Sequence, residues 1–264
     1  MRAEASQRAA LAEELAHAFE TAQPIEPLGE RAALDVEDAY AIQRLVQQRF
    51  AAHGDEVVGR KIGLSSKAMQ RQLGVAEPDY GPIWASWQIP PGGLVRLDEL
   101  IAPRLEVEVA AILARPLVGE RVSTLDVLGA VDAWAPAIEI VDSRIRDWRI
   151  TIVDTIADHA SGARFVVGQA RSARSFDPAS VGALLLGDGG EVLAAGNGRA
   201  VLGHPAASIA WLARALARVG DEIPAGAVVL SGAMHAAVPL VQSRRFVARL
   251  RGLGEISVEV EGAA

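Results

Sequence analysis

The run Pro103-Arg104-Leu105-Glu106-Val107-Glu108-Val109-Ala110-Ala111-Ile112-Leu113 carries two acids inside an otherwise apolar strand pattern. In a β-strand successive side chains point to opposite faces, so Leu105, Val107 and Val109 share one face and Glu106 and Glu108 the other. Two carboxylates one pleat apart repel, and each is costly to bury alone. Two readings are open: a half-exposed strand with a wet acidic face, or a buried strand whose acids need a cation. The uncharged continuation from Ala110 to Leu113 favours the buried strand.

A second stretch has the same character. In Pro136-Ala137-Ile138-Glu139-Ile140-Val141-Asp142, Glu139 is flanked by isoleucine on both sides. The chain has no cysteine, which excludes disulfides, thiolate zinc sites and cysteine nucleophiles. No pair of histidines lies nearby. Three carboxylates in apolar strands then describe an oxygen-only site for a hard cation, suited to Mg²⁺ or Mn²⁺ rather than zinc.

A third stretch, Val57-Val58-Gly59-Arg60-Lys61-Ile62-Gly63-Leu64, sets Lys61 among apolar residues and two glycines. A lysine there either snorkels to the surface or serves chemistry, as a cation beside a bound anion or as a proton donor with a lowered pKa. Gly63 would let the backbone approach a ligand closely. Asp142, Arg144, Arg146, Asp147, Asp154 and Asp158 follow Glu139 closely and read mostly as loop and surface charges. Asp154 and Asp158 could share a helical face.

Around these stretches the chain changes texture. Leu11, Leu15, Ala18 and Phe19 predict a first helix that Pro24 and Pro27 end. Asp35, with Asp38 three residues on, predicts the N-cap of a second, stopped at Gly54. From Val57 onward, short β-branched runs alternate with glycine and proline, which predicts a many-stranded region. Two helices interrupt it, over Thr124 to Trp134 and over Pro205 to Val219, and Gly187-Asp188-Gly189-Gly190 predicts a hairpin turn. The fold class is therefore α+β, a helical segment over 1–54 followed by a mixed β-rich barrel or sandwich over 55–264.

Half of the 264 residues are hydrophobic and the formal net charge is −7. That excludes a disordered chain and argues against nucleic acid as a partner. No signal peptide and no membrane-spanning run is seen, so a cytoplasmic protein away from membranes is expected. No Gly-x-Ser-x-Gly elbow and no Walker or dinucleotide motif is present.

Several ordered motifs together resemble a known family. They are Gly59-Arg60-Lys61-Ile62-Gly63-Leu64 with Ser65 to Gln70, Gln72-Leu73-Gly74-Val75, Glu77-Pro78-Asp79-Tyr80-Gly81, and the Glu106/Glu108 and Glu139 strands. Ser143-Arg144-Ile145, Asp154 through Ser161, and Leu202-Gly203-His204-Pro205 complete the set. The chain resembles the 2-keto-4-pentenoate (2-hydroxypenta-2,4-dienoate) hydratases, which belong with the 4-oxalocrotonate decarboxylases to the fumarylacetoacetate-hydrolase-like superfamily. The resemblance implies Mg²⁺ or Mn²⁺ held by Glu106, Glu108 and Glu139, with Lys61 and Asp79 as catalytic residues. It also implies Leu64 and Ser161 as substrate contacts. It further implies a homo-oligomer that can associate with a decarboxylase of the same aromatic meta-cleavage pathway.

The expected activity is addition of water to a short 2-hydroxydienoate or its 2-oxo tautomer, giving 4-hydroxy-2-oxopentanoate. Asp79 would move the proton or align the water, and Lys61 would pair with the carboxylate or the oxyanion. Residues 143–150 resemble the hydratases more, whereas Ala236-Ala237-Val238-Pro239 resembles the decarboxylases. Decarboxylation of 4-oxalocrotonate is the alternative, and it would need a further cation, for which Arg144 or Arg164 is available. A non-catalytic metal-binding partner subunit is the alternative from another class, and the intact set of site residues argues against it. Two departures from the family pattern stand out. His159 replaces the usual Asn, adding a group that would titrate near neutral pH if it faced the site. The usual Gly-Asp turn is also missing near residues 241–246.

Overall fold

Leu11, Leu15 and Ala18 recur at helical spacing and turn inward from α1 (Ala5–Thr21). After the single turn α2 (Leu28–Arg31), α3 (Val36–Ala52) opens on a reciprocal cap. Asp35 accepts from the Asp38 backbone N–H at 2.8 Å, and the Asp38 carboxylate accepts from the Asp35 N–H at 3.4 Å. Gly54, at φ +87°, turns the chain out of α3 where an L side chain would be strained. These helices close a core around Leu15, Ile42 and Val46, completed from later in the chain by Ile145, Val153 and Ile156. The computed structural model describes residues 3–66, 70–71, 74–240 and 244–262. Lys67 to Met69, Gln72-Leu73 and the 241–243 part of the second departure lie outside the described residues.

The strands follow in the order β1 (Val57–Gly63), β2 (Asp79–Trp84), β3 (Leu94–Arg96), β4 (Arg104–Leu113) and, after α4 (Thr124–Ala130), β5 (Val131–Val141). Next come α5 (Ile152–Ala157), β6 (Gly162–Val167), β7 (Arg171–Ser172), β8 (Gly182–Leu186) and β9 (Val192–Asn197). The chain continues with α6 (Pro205–Ala217), β10 (Val228–Leu230), β11 (Val238–Pro239), β12 (Arg245–Leu250) and β13 (Gly254–Glu261). One sheet runs β2-β1-β10-β4-β5-β6, with β11 added to β4 and β7 to β5; the other runs β3-β13-β12-β8-β9. β1 with β10 and β13 with β3 are parallel pairs among antiparallel ones, so both sheets are mixed. The expected α+β fold is what forms: N-terminal helices and a mixed β half-barrel.

Leu105, Val107 and Val109 turn into the large core with Phe246, Ile256 and Val258 from the second sheet. The opposite face of β4 is covered too, where Ala110 packs with Trp84, Trp87, Ala137 and Phe165. The wet acidic face is therefore excluded; this strand is buried on both sides. The hairpin at 187–190 joins β8 to β9 as read, with the Gly187 N–H donating to Glu191 O at 3.0 Å.

Two expectations are corrected. The helix from Thr124 stops at Ala130 rather than Trp134, because Val131 pairs with Leu113 and Ala133 with Ile112 of β4. Cross-strand pairing of a β-branched residue there outweighs the helical spacing. Asp142, Arg144, Asp154 and Asp158 are buried rather than surface charges, while Arg146 and Asp147 are exposed. Each buried acid has work to do. Asp142 accepts from the Ile101 and Ala102 N–H groups, Asp154 accepts from those of Leu28 and Gly29, and Asp158 pairs with Arg144. No helix among the described residues is long and apolar enough to cross a membrane.

Candidate active site

The register of β4 against β5 sets Glu106 directly opposite Glu139, with Glu108 one pleat along. All three are buried, and one carboxylate oxygen from each lies within 4.8 Å of the others. Like charges directly opposed across a sheet destabilise it, and burial here limits screening by solvent. Glu108 Oε2 accepts from the Gly232 N–H at 2.8 Å, while Glu108 Oε1 and Glu139 Oε2 have no hydrogen-bond partner among the described residues. Buried acceptors are normally satisfied. Unpaired oxygens converging from three acids fit a divalent cation with oxygen ligands.

Lys61 enters this cluster from β1, two strands away. It is buried, with Nζ 3.1 Å from Glu139 Oε1, and it donates to Ala160 O at 2.7 Å. Burial alone would lower its pKa, but the charges of Glu139, Asp79, Glu106 and Glu108 outweigh that and hold the ammonium above its ordinary range. The surface lysine and the lysine of lowered pKa are both corrected by this arrangement. Burial, with the charge of Glu139, pushes Glu106 up to about 7. Burial and the same neighbours raise Glu108 well above the usual carboxylate range. Glu139 is raised by burial against the opposing pull of Lys61.

Asp79, the first residue of β2, pairs in register with Gly63 of β1. Its Oδ2 accepts from the Thr155 hydroxyl at 2.9 Å, its Oδ1 is unpartnered, and burial raises its pKa. A Cβ on residue 63 would collide with Asp79 Oδ1. The glycine thus makes room for a carboxylate of the chain itself. Leu64 and Ser161 both take left-handed conformations, at φ +52° and +54°.

Lys61, Leu64, Asp79, Glu106 and Ser161 line one cavity of about 430 Å³. Glu108 and Glu139 are not in its wall. A larger open groove along 115–122 holds none of these residues, so volume alone does not mark the site. His159 is near but faces elsewhere. Its ring sits among Phe19, Phe50, Trp84 and Trp87 at centroid distances of 5.3, 5.6, 6.2 and 6.1 Å. Burial, reinforced by the Arg144 charge, pushes its pKa down to about 3, so it does not titrate near neutral pH.

The further cations considered from the sequence are engaged elsewhere. Arg144 binds Asp158 and the carbonyls of Asp158 and Gly162, and Arg164 pairs with Glu99 at 3.0 Å. Arg104 is the arginine in the cavity wall, together with Trp148 and Thr155. The strand alternation already held the signal for Arg104, which shares a face with Glu106 and Glu108. Trp148 and Thr155 had no comparable pattern.

Residues 47–261 match the family model for the fumarylacetoacetate (FAA) hydrolase C-terminal region. The chain is 44% identical to 2-keto-4-pentenoate hydratase 2 of Dechloromonas aromatica (strain RCB) over 237 residues, 89% of this chain and 90% of that one. It is 40% identical to 2-hydroxyhexa-2,4-dienoate hydratase of Comamonas testosteroni over 252 residues, 93% and 94% of the two chains. Among solved structures, 4-oxalocrotonate decarboxylase from Pseudomonas putida G7, complexed with magnesium and adipate, superposes with a TM-score of 0.95. That match is 35% identical and covers 98% of this chain and 100% of the other.

Proposed function

From the premise that the chain belongs to the fumarylacetoacetate hydrolase family, among its 2-keto-4-pentenoate-hydratase-like members, we propose a divalent-metal-dependent lyase. Its substrate is a short 2-hydroxy-2,4-dienoate or the 2-oxo tautomer, of the kind formed in aromatic catabolism. The observation that carries this reading is a set of four buried acids, Asp79, Glu106, Glu108 and Glu139, around the ammonium of Lys61. Glu106, Glu108 and Glu139 would hold Mg²⁺ or Mn²⁺.

A cation there supplies Lewis-acid polarisation of the 2-oxygen and charge neutralisation beside it. Lys61 remains an ammonium throughout, oriented by Ala160 O and Glu139, and offsets negative charge as the enolate forms. Asp79 lies in the cavity wall with one oxygen held by Thr155 and the other unpartnered among the described residues, and it takes up and returns the proton. Leu64 and Ser161 bound the substrate at the same wall.

Two outcomes share this machinery. A 2-oxo-3-hexenedioate has its distal carboxylate vinylogous to the ketone, so the C–C bond breaks, CO₂ leaves and the electron pair enters the dienolate. A dienoate without that carboxylate is instead protonated at its terminal carbon, and water adds β to the resulting conjugated ketone. Decarboxylation has the stronger structural support. The decarboxylase fold matches over nearly the whole chain, with magnesium and a six-carbon diacid bound there, and this cavity supplies a cation for a second carboxylate. Hydration is the second reading, carried by the 44% and 40% identities to hydratases.

The experiment is a pair of assays with Mg²⁺ and with EDTA. One offers 2-oxo-3-hexenedioate and detects CO₂. The other offers freshly generated 2-hydroxypenta-2,4-dienoate and detects a mass gain of one water. Metal-dependent turnover in either supports the lyase and names its outcome. Silence in both refutes it.

A further inference from the structure

Arg104 opens β4 on the same face as Glu106 and Glu108, so the strand that brings the acid cluster also brings a guanidinium to the cavity wall. Its Cζ lies 4.2 Å from the centroid of the Trp148 ring, and the Trp148 indole N–H donates to Ala102 O at 2.9 Å. Stacking on an anchored ring fixes the plane of the guanidinium without using its N–H donors. Among the described residues no carboxylate lies within ion-pair distance of Arg104, and its side chain makes no hydrogen bond. Among the described residues, Lys61, Arg144 and Arg164, the cations considered above, are each committed to an acid. Of the acids that line the same cavity, Asp79 and Glu106 belong to the buried cluster around Lys61, and Asp147 is exposed, where solvent screens it.

The same cavity wall carries an apolar share from Val141, the cross-strand partner of Arg104, and from Ile150, Ala236 and Ala237. Two residues of strand rise separate the Cα atoms of Arg104 and Glu106, about 6.6 Å. The carboxyl-to-carboxyl span of an extended six-carbon diacid is of that order. We infer that Arg104, stacked on Trp148, is the specificity-determining residue that reads a second carboxylate, so that the cavity takes dicarboxylic 2-oxo acids in preference to monocarboxylic ones. The inference rests on the lyase reading for the end of the substrate that meets Glu106 and Lys61. The planar fork of arginine suits two parallel hydrogen bonds to a carboxylate, whereas a monoacid would leave those donors unused.

The test uses two stable acids that differ only at the distal end, 2-oxohexanedioate and 2-oxohexanoate. Their affinities for the full-length protein with Mg²⁺ are measured by calorimetry, alongside quenching of tryptophan fluorescence. The wild type binds the diacid about tenfold or more tightly than the monoacid. In Arg104→Met the ratio falls to about one, through weaker diacid binding, and Arg104→Lys, which keeps charge but not the fork, lies between. Equal affinities in the wild type, or an unchanged ratio in a folded Arg104→Met, overturn the inference and leave the lyase reading standing. If Arg104→Met does not fold, the ratio in Arg104→Lys decides in the same way. Failure of both acids to bind with Mg²⁺ present overturns the lyase reading and the inference with it.

Discussion

Glu106 on β4 and Glu139 on β5 are direct cross-strand partners, and both carboxylates are buried beside Glu108. A sheet does not keep like charges in that relation without positive charge between them. Among the described residues Lys61 supplies one such charge, at 3.1 Å from Glu139, against the three carboxyls. Binding of the proposed divalent ion would therefore be coupled to stability as well as to chemistry.

Mg²⁺ at a hundred times its Kd stabilises the native state by about 2.7 kcal/mol if the unfolded chain does not bind it. For a chain of this size that is a rise in Tm of roughly 5–10 °C. Thermal melts with Mg²⁺, with EDTA, and of Glu106→Gln in both conditions measure it. The variant keeps its fold but loses most of the Mg²⁺ shift and the metal-dependent turnover. A full shift in Glu106→Gln would remove that residue from the metal site.

Lys61 gives a prediction with a definite sign. Its pKa in the folded state lies above its unfolded value, so the stability it contributes is complete below about pH 10 and declines only as pH rises through the folded value. In the metal-free protein, stability accordingly shows no loss from lysine deprotonation below pH 10. Lys61→Met loses about 100-fold or more in kcat. A loss of stability near pH 8 in EDTA that disappears in Lys61→Met would contradict this assignment.

His159 is predicted to act through stability alone. Its folded pKa of about 3 lies below the ordinary 6.5, so the unfolded chain takes up a proton first as pH falls. The contribution of neutral His159 is present above pH 6.5 and is lost progressively toward pH 3. By pH 5 the loss is about 2 kcal/mol. His159→Phe, which keeps a ring among the four aromatics, lacks that loss. Denaturant melts of both proteins at pH 7.5 and pH 5 give the difference, and the raised carboxylates cancel between them. Parallel pH dependences would show that the imidazole is protonated in the folded state.

Much of this could be read in the sequence because the signals are local. The Asp35/Asp38 cap, the Gly54 stop and the alternation through 104–113 need no knowledge of neighbours. The pairing of Glu106 with Glu139 is a matter of register between segments some thirty residues apart, which acid spacing suggests and only strand pairing establishes. The buried roles of Asp142, Asp154 and Asp158 were hidden for the same reason: each satisfies a backbone or a guanidinium distant in sequence. Thr155 behind Asp79 and Trp148 beneath Arg104 come from segments with no periodic pattern. His159 looks like a titrating group in sequence and proves to be an aromatic packing element, because Phe19 and Phe50 reach it from α1 and α3.

Gly63 and Asp79 form the last pair, and a double-mutant cycle tests it. Gly63 is paired in register with Asp79 itself at the end of β1, so a Cβ added there meets the Asp79 carboxylate directly. The added methyl displaces the Asp79 carboxylate from its bond to Thr155. Gly63→Ala is expected to cut kcat by about 10²-fold, as loss of a positioned general base does, while the affinity for a 2-oxo acid changes little. Asp79→Asn should do the same. Because both changes remove one function, the double variant is no slower than the slower single, and the effects are far from additive. Additive losses in kcat would mean that the methyl harms the site by another route, and that Asp79 does not depend on the glycine across the strand.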